Sequence, residues 1–406
     1  MRIQASRLTA HLKALGRFGA VPGNGVTRPA YSAAYREGAD YVKSLMTAAG
    51  LSVETDPIGN LIGTYQGRTN RILLMGSHID SVPNGGIFDG CLGVIAAIEA
   101  VQTLREQRVE LEHTVKIAAW MEEEGNQVTG VLGSRSFVGC AGHLPEETLA
   151  KLAAAGRSQA DIQASRFPHL DQIDAALELH IEQGGILENE RIEIGVVSGI
   201  VGIRRYVATI YGKKNHAGTT PMHLRDDAMV KAARLITELD ELARATDPDM
   251  VCTVGWLHAF PGVCNVIAER VELSVEIRAM EEASLFQVQE HLQTRLAPGE
   301  LTVRQIFGQQ PIRMSPRCKA AISASAAALH LSQKEVQSGA GHDTMALAAQ
   351  IPHCGMLFVP SVGGLSHCPQ ELTRWEDAAN GTNTLLGALL HLDAAGTPSD
   401  TCGTSP

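Results

Sequence analysis

The stretch that most restricts how this chain can fold runs from Arg71 to about Gln107. An apolar run, Arg71-Ile-Leu-Leu-Met75, passes into Gly76-Ser-His-Ile-Asp-Ser-Val-Pro-Asn-Gly-Gly-Ile-Phe-Asp-Gly90, and an apolar helical pattern of Leu92, Val94, Ile95, Ile98, Val101 and Leu104 follows. This predicts a strand, a glycine-rich turn and a helix. Side chains two apart in a strand share a face, so His78 and Asp80 project together, and a carboxylate at that spacing can brace a metal-bound imidazole. Asp89 stands where the helix begins. Taken alone, these residues also read as a hydrogen-bonded core histidine and a helix N-cap.

Three more runs repeat the pattern. Thr114-Val-Lys-Ile-Ala-Ala-Trp-Met121 has the continuous apolarity of a buried parallel strand and ends in Glu122-Glu-Glu-Gly125. Ala175-Ala-Leu-Glu-Leu-His180 leads into Ile-Glu-Gln-Gly184, and Cys354-Gly-Met-Leu-Phe-Val-Pro360 is followed by Gly363-Gly-Leu-Ser-His367. An isolated glutamate run is usually a solvated loop and a single histidine is usually structural. Open α/β sheets, however, place their sites outside the carboxyl ends of parallel strands. Four such ends that each deliver His, Asp or Glu predict a carboxylate and imidazole metal cluster. The cysteines contain no C-x-x-C pair, so neither a thiolate zinc site nor a disulfide framework is indicated.

The chain has 406 residues, more than the ~250 to 300 at which single cores stop growing, so two domains are expected. Alternation from Arg204 to Gly212 is followed by an amphipathic helix from Arg225 to about Thr246. Strands at Met250 to Ala259 and Val266 to Arg278, a helix at Glu282 to Leu296 and a strand near Leu301 to Phe307 complete a β-α-β-β-α-β order. The predicted fold is α/β: a mixed, largely parallel sheet flanked by helices over 1–204 and 313–406, with an inserted ferredoxin-like α+β domain over 205–312. Helices are expected between residues 5 and 50, where Leu8, Leu12 and Leu15, then Tyr35, Ala39, Val42 and Leu45, recur three or four apart. A hairpin broken at Pro57-Ile-Gly59 is expected between Leu51 and Tyr65. The small, polar tail from Ala394 is expected to be disordered. A formal charge of -10 argues against nucleic-acid or anionic-membrane partners. No apolar stretch approaches the ~18 to 20 residues of a membrane span, and charges near Met1 break a secretory pattern, so a cytoplasmic location is expected.

Five blocks in order carry a specific resemblance. They are Gly76-Ser-His-Ile-Asp80 through Phe88-Asp-Gly90; Glu123-Glu-Gly125 with Leu132-Gly-Ser-Arg135; Glu178-Leu-His-Ile-Glu-Gln-Gly184; Asn215-His-Ala-Gly-Thr-Thr-Pro-Met222; and Ser338-Gly-Ala-Gly-His-Asp343 with Gly364-Leu-Ser-His367. Together they resemble the hydantoinase/carbamoylase-type amidase family: N-carbamoyl-L-amino-acid hydrolases, β-ureidopropionases and allantoate amidohydrolases, relatives of carboxypeptidase G and aminoacylase. The resemblance implies two divalent ions (Zn, Mn, Co or Ni) held by His78, Asp89, Glu124, His180 and His367, with Asp89 bridging. It implies Glu123 as general base, anchored in register on Gly125, with Asp80 beside it in the catalytic set. Arg278 and Asn265 match residues that hold a substrate carboxylate, His216 a lid histidine facing the scissile carbonyl, and Gln183 and Gly364 ligand-contacting positions. Asn126-Gln127 and Ala268 depart from the family pattern. The implied reaction is hydrolysis of the ureido C–N bond of N-carbamoyl-L-amino acids. Allantoate hydrolysis is the alternative, ahead of β-ureidopropionase, aminoacylase or exopeptidase activity. The open edges of the inserted sheet predict a homodimer built through that domain, which doubles as a lid.

Overall fold

The computed structural model describes residues 1–394. The expected tail disorder lies outside these residues, apart from Ala394, which ends the last helix, Trp375–Ala394. The chain divides into two compact units, one formed by Met1–Ser198 with the chain from Met314 onward, the other by Gly199–Arg313.

In the first unit the four apolar runs are adjacent strands. Their order is Thr114–Trp120, Ile72–His78, Ile173–Ile181 and Cys354–Val359, all mutually parallel. Every residue of these four strands is buried, which is why their sequences are continuously apolar rather than alternating. Leu61–Tyr65 adds antiparallel to Thr114–Trp120, and Ser52–Thr55 pairs with it as the expected hairpin. On the other side Ile194–Ile200 runs antiparallel to Cys354–Val359, so the sheet is mixed. The helix Cys91–Glu106 connects Ile72–His78 to Thr114–Trp120 and is buried almost all round, because Ala5–Leu15 and Trp375–Ala394 both pack against it. Fully burying a Leu, Ile or Val contributes roughly 1.5 to 3 kcal/mol. Leu92, Val94, Ile95, Val101 and Leu104, each at most 1% exposed, therefore tie this helix firmly under the turn that precedes it.

The second unit has the order β-α-β-β-α-β. Its antiparallel sheet runs Leu257–Phe260, Arg270–Ala279, Gly202–Tyr211, Leu301–Gln309. The helices Ala228–Thr246 and Glu282–Thr294 cover one face, where Val271, Leu273, Val275, Ile277 and Ala279 alternate inward. Two expected strands differ from the sequence pattern. Met250 to Ala259 is split into Val251–Thr253 and Leu257–Phe260, and between them the strand carries one more residue than its partner. The Ser274 hydroxyl accepts from the N–H groups of Gly255 and Trp256, both at 3.1 Å, and substitutes for the missing ladder bonds of this bulge. Val266 to Arg278 is likewise interrupted: Val266–Ile267 pairs with Asn215–His216, and the long strand begins only at Arg270. Among the described residues no helix is long and apolar enough to cross a membrane.

Candidate metal centre

The carboxyl ends of the four parallel strands converge on Asp89. His78 is the last residue of its strand, and its Nε2 lies 3.5 Å from Asp89 Oδ1. His180, next to last in its strand, places Nε2 3.2 Å from the same oxygen. His367, on the loop after Cys354–Val359, places Nε2 3.3 Å from the other oxygen, Oδ2. One carboxylate thus faces three imidazoles, two through one oxygen and one through the other. Burial would raise its pKa, but hydrogen bonding to His180, His367 and His78 outweighs this and holds Asp89 well below the usual carboxylate range. The turn that delivers it needs glycine at position 90. Gly90 has φ 64°, and a Cβ there would stand 2.4 Å from the His78 ring. Asp89 is therefore no N-cap: the helix begins at Cys91 behind Gly90, and the carboxylate turns to the histidines.

The three glutamates separate by direction. Glu122, in a left-handed conformation at φ 60°, turns inward, and its Oε1 accepts from the N–H groups of Gln127 at 2.7 Å and Val128 at 2.5 Å. Glu123 Oε2 lies 3.6 Å from His78 Nε2, and Glu124 Oε2 lies 3.5 Å from His367 Nε2. Burial pushes the Glu123 carboxyl well above its ordinary value, and burial together with Asp89 pushes Glu124 up to about 7. Hydrogen bonding to Asp89 raises His367 to about 9.

Asp80 lies beyond the end of its strand and works chiefly on the backbone. Its two oxygens accept from the N–H groups of Glu123 at 3.3 Å and Glu124 at 3.1 Å. His78 Nδ1 is closer to the Asp80 carbonyl, at 3.1 Å, than to its carboxylate, at 3.6 Å. Gln183 donates from Nε2 to Asp89 Oδ2 at 2.7 Å. Gly364 has φ 65° and fits tightly: a Cβ there would meet the Gly185 nitrogen at 2.9 Å. Sequence reasoning missed Glu371 and Ser366. Glu371 Oε1 accepts from the N–H groups of Phe88 at 3.0 Å and Asp89 at 3.1 Å, and Ser366 donates to Asp89 Oδ2 at 2.9 Å. No periodicity marks either residue. Gly86 makes room for Glu371, since a Cβ there would stand 2.1 Å from its carboxylate.

The donor set fits divalent cations. His78, Asp89 and His180 form one group, and Asp89, Glu124 and His367 another, in each of which the ligand atoms lie within 4.8 Å of one another. The groups share Asp89. Glu124 Oε1 is buried without a hydrogen-bond partner. None of the ion pairs in this cluster involves lysine or arginine, so positive charge from ions is what its carboxylates lack. Nitrogen and oxygen donors without thiolate suit zinc, manganese, cobalt and nickel alike.

The remaining expected residues belong to the second unit. His216 and Asn265 are neighbours there: His216 pairs opposite Val266, and the Asn265 carbonyl accepts from Ala217 N–H at 3.0 Å. His216 Nδ1 accepts from the N–H groups of Gly218 at 3.0 Å and Thr219 at 3.2 Å, which leaves Nε2 as the protonated, donating nitrogen. Arg278 sits on the polar face of the strand Arg270–Ala279, with its guanidinium 2.6 Å from Glu276.

The profile of Peptidase family M20/M25/M40 matches residues 74–391. An N-carbamoyl-L-amino acid amidohydrolase of Geobacillus stearothermophilus is 40% identical, over 96% of this chain and 99% of the relative. The allantoate amidohydrolase of Escherichia coli strain K12 is 35% identical, over 93% of this chain and 95% of the relative. A crystal structure of a hydantoinase/carbamoylase family amidase from Burkholderia multivorans superposes with a TM-score of 0.87 at 32% identity, over 97% of this chain and 98% of that one. The fold is shared along nearly the whole chain and the sequence along nearly the full length of relatives named as amidohydrolases, and the chain belongs to Peptidase family M20/M25/M40 in its hydantoinase/carbamoylase amidase branch.

Proposed function

We propose that this enzyme hydrolyses the ureido C–N bond of N-carbamoyl-L-amino acids, releasing the amino acid, carbon dioxide and ammonia. The observation that carries this is the 40% identity, along nearly the full length of both chains, to a relative named for that activity. His78, Asp89 and His180 would hold one divalent ion, and Asp89, Glu124 and His367 a second. Such ions supply Lewis acidity, which polarises a carbonyl and acidifies water. The ureido carbonyl is a poor electrophile because two nitrogens donate into it, so this help is needed. Glu123 takes the proton of the attacking water and returns it to the departing nitrogen, a role that typically contributes ~10²- to 10⁴-fold. His216 Nε2–H donates to the developing oxyanion, worth ~10²- to 10³-fold. Arg278 and Asn265 hold the substrate carboxylate, and the planar guanidinium matches that group with two hydrogen bonds. Gln183 orients Asp89 and contacts the substrate at its free amide oxygen, and Gly364 keeps the adjoining wall close. The carbamate product decomposes to carbon dioxide and ammonia. In this reading the inserted unit also closes as a lid and joins two subunits into a homodimer.

A second reading is allantoate hydrolysis, favoured by Arg204-Arg-Tyr206 and His216-Ala-Gly-Thr-Thr220, which look more like that branch; Val254-Gly-Trp-Leu-His258 and Pro261-Gly-Val look more like the carbamoylases. Ammonia release is measured with N-carbamoyl-L-amino acids, their D enantiomers and allantoate, each with manganese, cobalt or zinc. Turnover of the L compounds above the other two is expected, with KM raised strongly by Arg278→Lys. Turnover confined to allantoate would establish the second reading.

A further inference from the structure

Away from the strand ends, Tyr31 separates two cavities in the first unit. One, of about 270 Å³, has Tyr31, Tyr35, Arg36, Asp40, Lys43 and Arg157 in its wall. The other, of about 310 Å³, shares Tyr31 and Ala155 with it and adds Lys151. Three polar atoms of the first wall are buried without a hydrogen-bond partner: the Tyr31 hydroxyl, the Tyr35 hydroxyl and Arg157 Nε. Buried polar groups are almost always paired, so three unpaired ones in one wall call for an explanation. All three are donors. Burial raises both phenols and keeps them protonated, and a guanidinium has nothing but N–H to offer. Among the wall residues Arg36, Lys43 and Arg157 outnumber the single acid, Asp40, while the carboxylates of Glu122, Asp56 and Asp80 act on the phenols from outside the wall. The nearby Asp56 does not serve the donors: its carboxylate accepts from Gly59 N–H at 2.9 Å and from the Asn60 backbone and side chain at 2.8 and 2.7 Å.

The backbone also holds this wall in a costly shape. Tyr31 has φ 63°, which a bulky residue adopts only where its surroundings impose it, and Arg36 Nη1 donates to its carbonyl at 2.7 Å. The cavity is several times the ~30 Å³ share of a liquid water molecule, large enough for a compact ligand. None of its wall residues belongs to the strand-end cluster.

We propose that this cavity is a second binding site, specific for a small oxyanion of carboxylate or phosphate type, which accepts from the Tyr31 and Tyr35 hydroxyls and from Arg157.

The metal-loaded enzyme is titrated calorimetrically with sodium phosphate and, separately, with sodium acetate at constant ionic strength. Saturable binding of at least one is expected, and which of them binds tells the phosphate from the carboxylate preference. Arg157→Met should weaken that binding about tenfold, the loss of a charge-assisted hydrogen bond, and Tyr35→Phe about threefold. If Arg157→Met does not fold, Tyr35→Phe carries the comparison. Absence of saturable binding by either anion overturns the proposal. So does a dissociation constant left at the wild-type value in the folded variants, which would put the anion elsewhere, for instance at the strand-end cluster.

Discussion

The two ends of one set of parallel strands both bury charge, and they do it in opposite ways. At the amino ends, Asp174 lies 2.7 Å from Arg71 and 2.8 Å from Arg317, while His113 sits between Asp393, at 3.0 Å, and Asp174, at 3.6 Å. The Asp393 carboxylate also accepts from the N–H groups of Glu112 at 3.2 Å and His113 at 2.8 Å. Burial works against Asp174, but the two arginines prevail and hold it below the ordinary carboxylate value. At the carboxyl ends, among the described residues, the ion pairs of the cluster are all with histidine, and Glu124 is pushed up to about 7 instead. The first cluster meets its carboxylates with cations of the chain itself, by ion pairing even where Asp174 Oδ2 and Arg317 Nη2 make no hydrogen bond, and serves stability. The second is incomplete as protein, which is how a binding site differs from a structural ion pair.

The widest test of this contrast is metal removal. Chelation should abolish activity, and manganese, cobalt or zinc should restore it. It should also lower the stability gained from binding, ~2.7 kcal/mol at a hundredfold excess of ion over its dissociation constant, read as a fall in Tm. Glu124→Gln should lose metal by elemental analysis. A chelated protein that keeps both its activity and its Tm would show that the carboxyl-end cluster is as self-sufficient as the amino-end one. Next comes Glu123→Gln, which should keep its metal and lose about 10²- to 10⁴-fold in kcat, because an amide cannot accept the proton. Unchanged turnover would move the base to another residue.

At the other end the sign reverses: Asp174→Asn should leave kcat alone and destabilise. We expect a loss of about 2 kcal/mol in denaturant unfolding, below the ~3 to 5 kcal/mol of a fully buried pair, because the Arg71 and Arg317 side chains are 38% and 23% exposed. The smallest effect is its pH dependence. A carboxylate depressed in the folded state contributes stability that is fully present above its unfolded pKa of ~3.9 and is lost as pH falls through the folded value. Wild-type stability should therefore drop more steeply than that of Asp174→Asn in acid below about pH 4. Parallel curves for the two proteins would assign the acid transition to other carboxylates.

What the sequence made legible was whatever announces itself locally. The four buried strands are continuous apolar runs, the inserted unit alternates with period two, and chemistry-bearing residues sit just past strand ends. The hairpin was visible from Pro57-Ile-Gly59. Features that depend on closure in space were not visible. Glu371 reaches Phe88 and Asp89 from nearly the other end of the chain, and Asp393 reaches His113 in the same way. Arg28 is fully buried and donates to the carbonyls of Leu15, Phe18 and Ile79, yet nothing around it in sequence distinguishes it from a surface arginine. The bulge at Gly255-Trp256 was hidden for a related reason, since its cause is the side chain of Ser274 on the neighbouring strand.

The strand order has a consequence for synthesis. Cys354–Val359 lies in the sheet between Ile173–Ile181 and Ile194–Ile200, although it leaves the ribosome after both. While the whole inserted unit is being made, the nascent chain carries Ile173–Ile181 with one open apolar edge, the kind of edge on which chains aggregate. His180 is carried by that strand, but the loop bearing His367 follows the missing one. The sheet and its cluster therefore close only once Cys354–Val359 has been made, and that closure is a long-range parallel pairing of the slow kind.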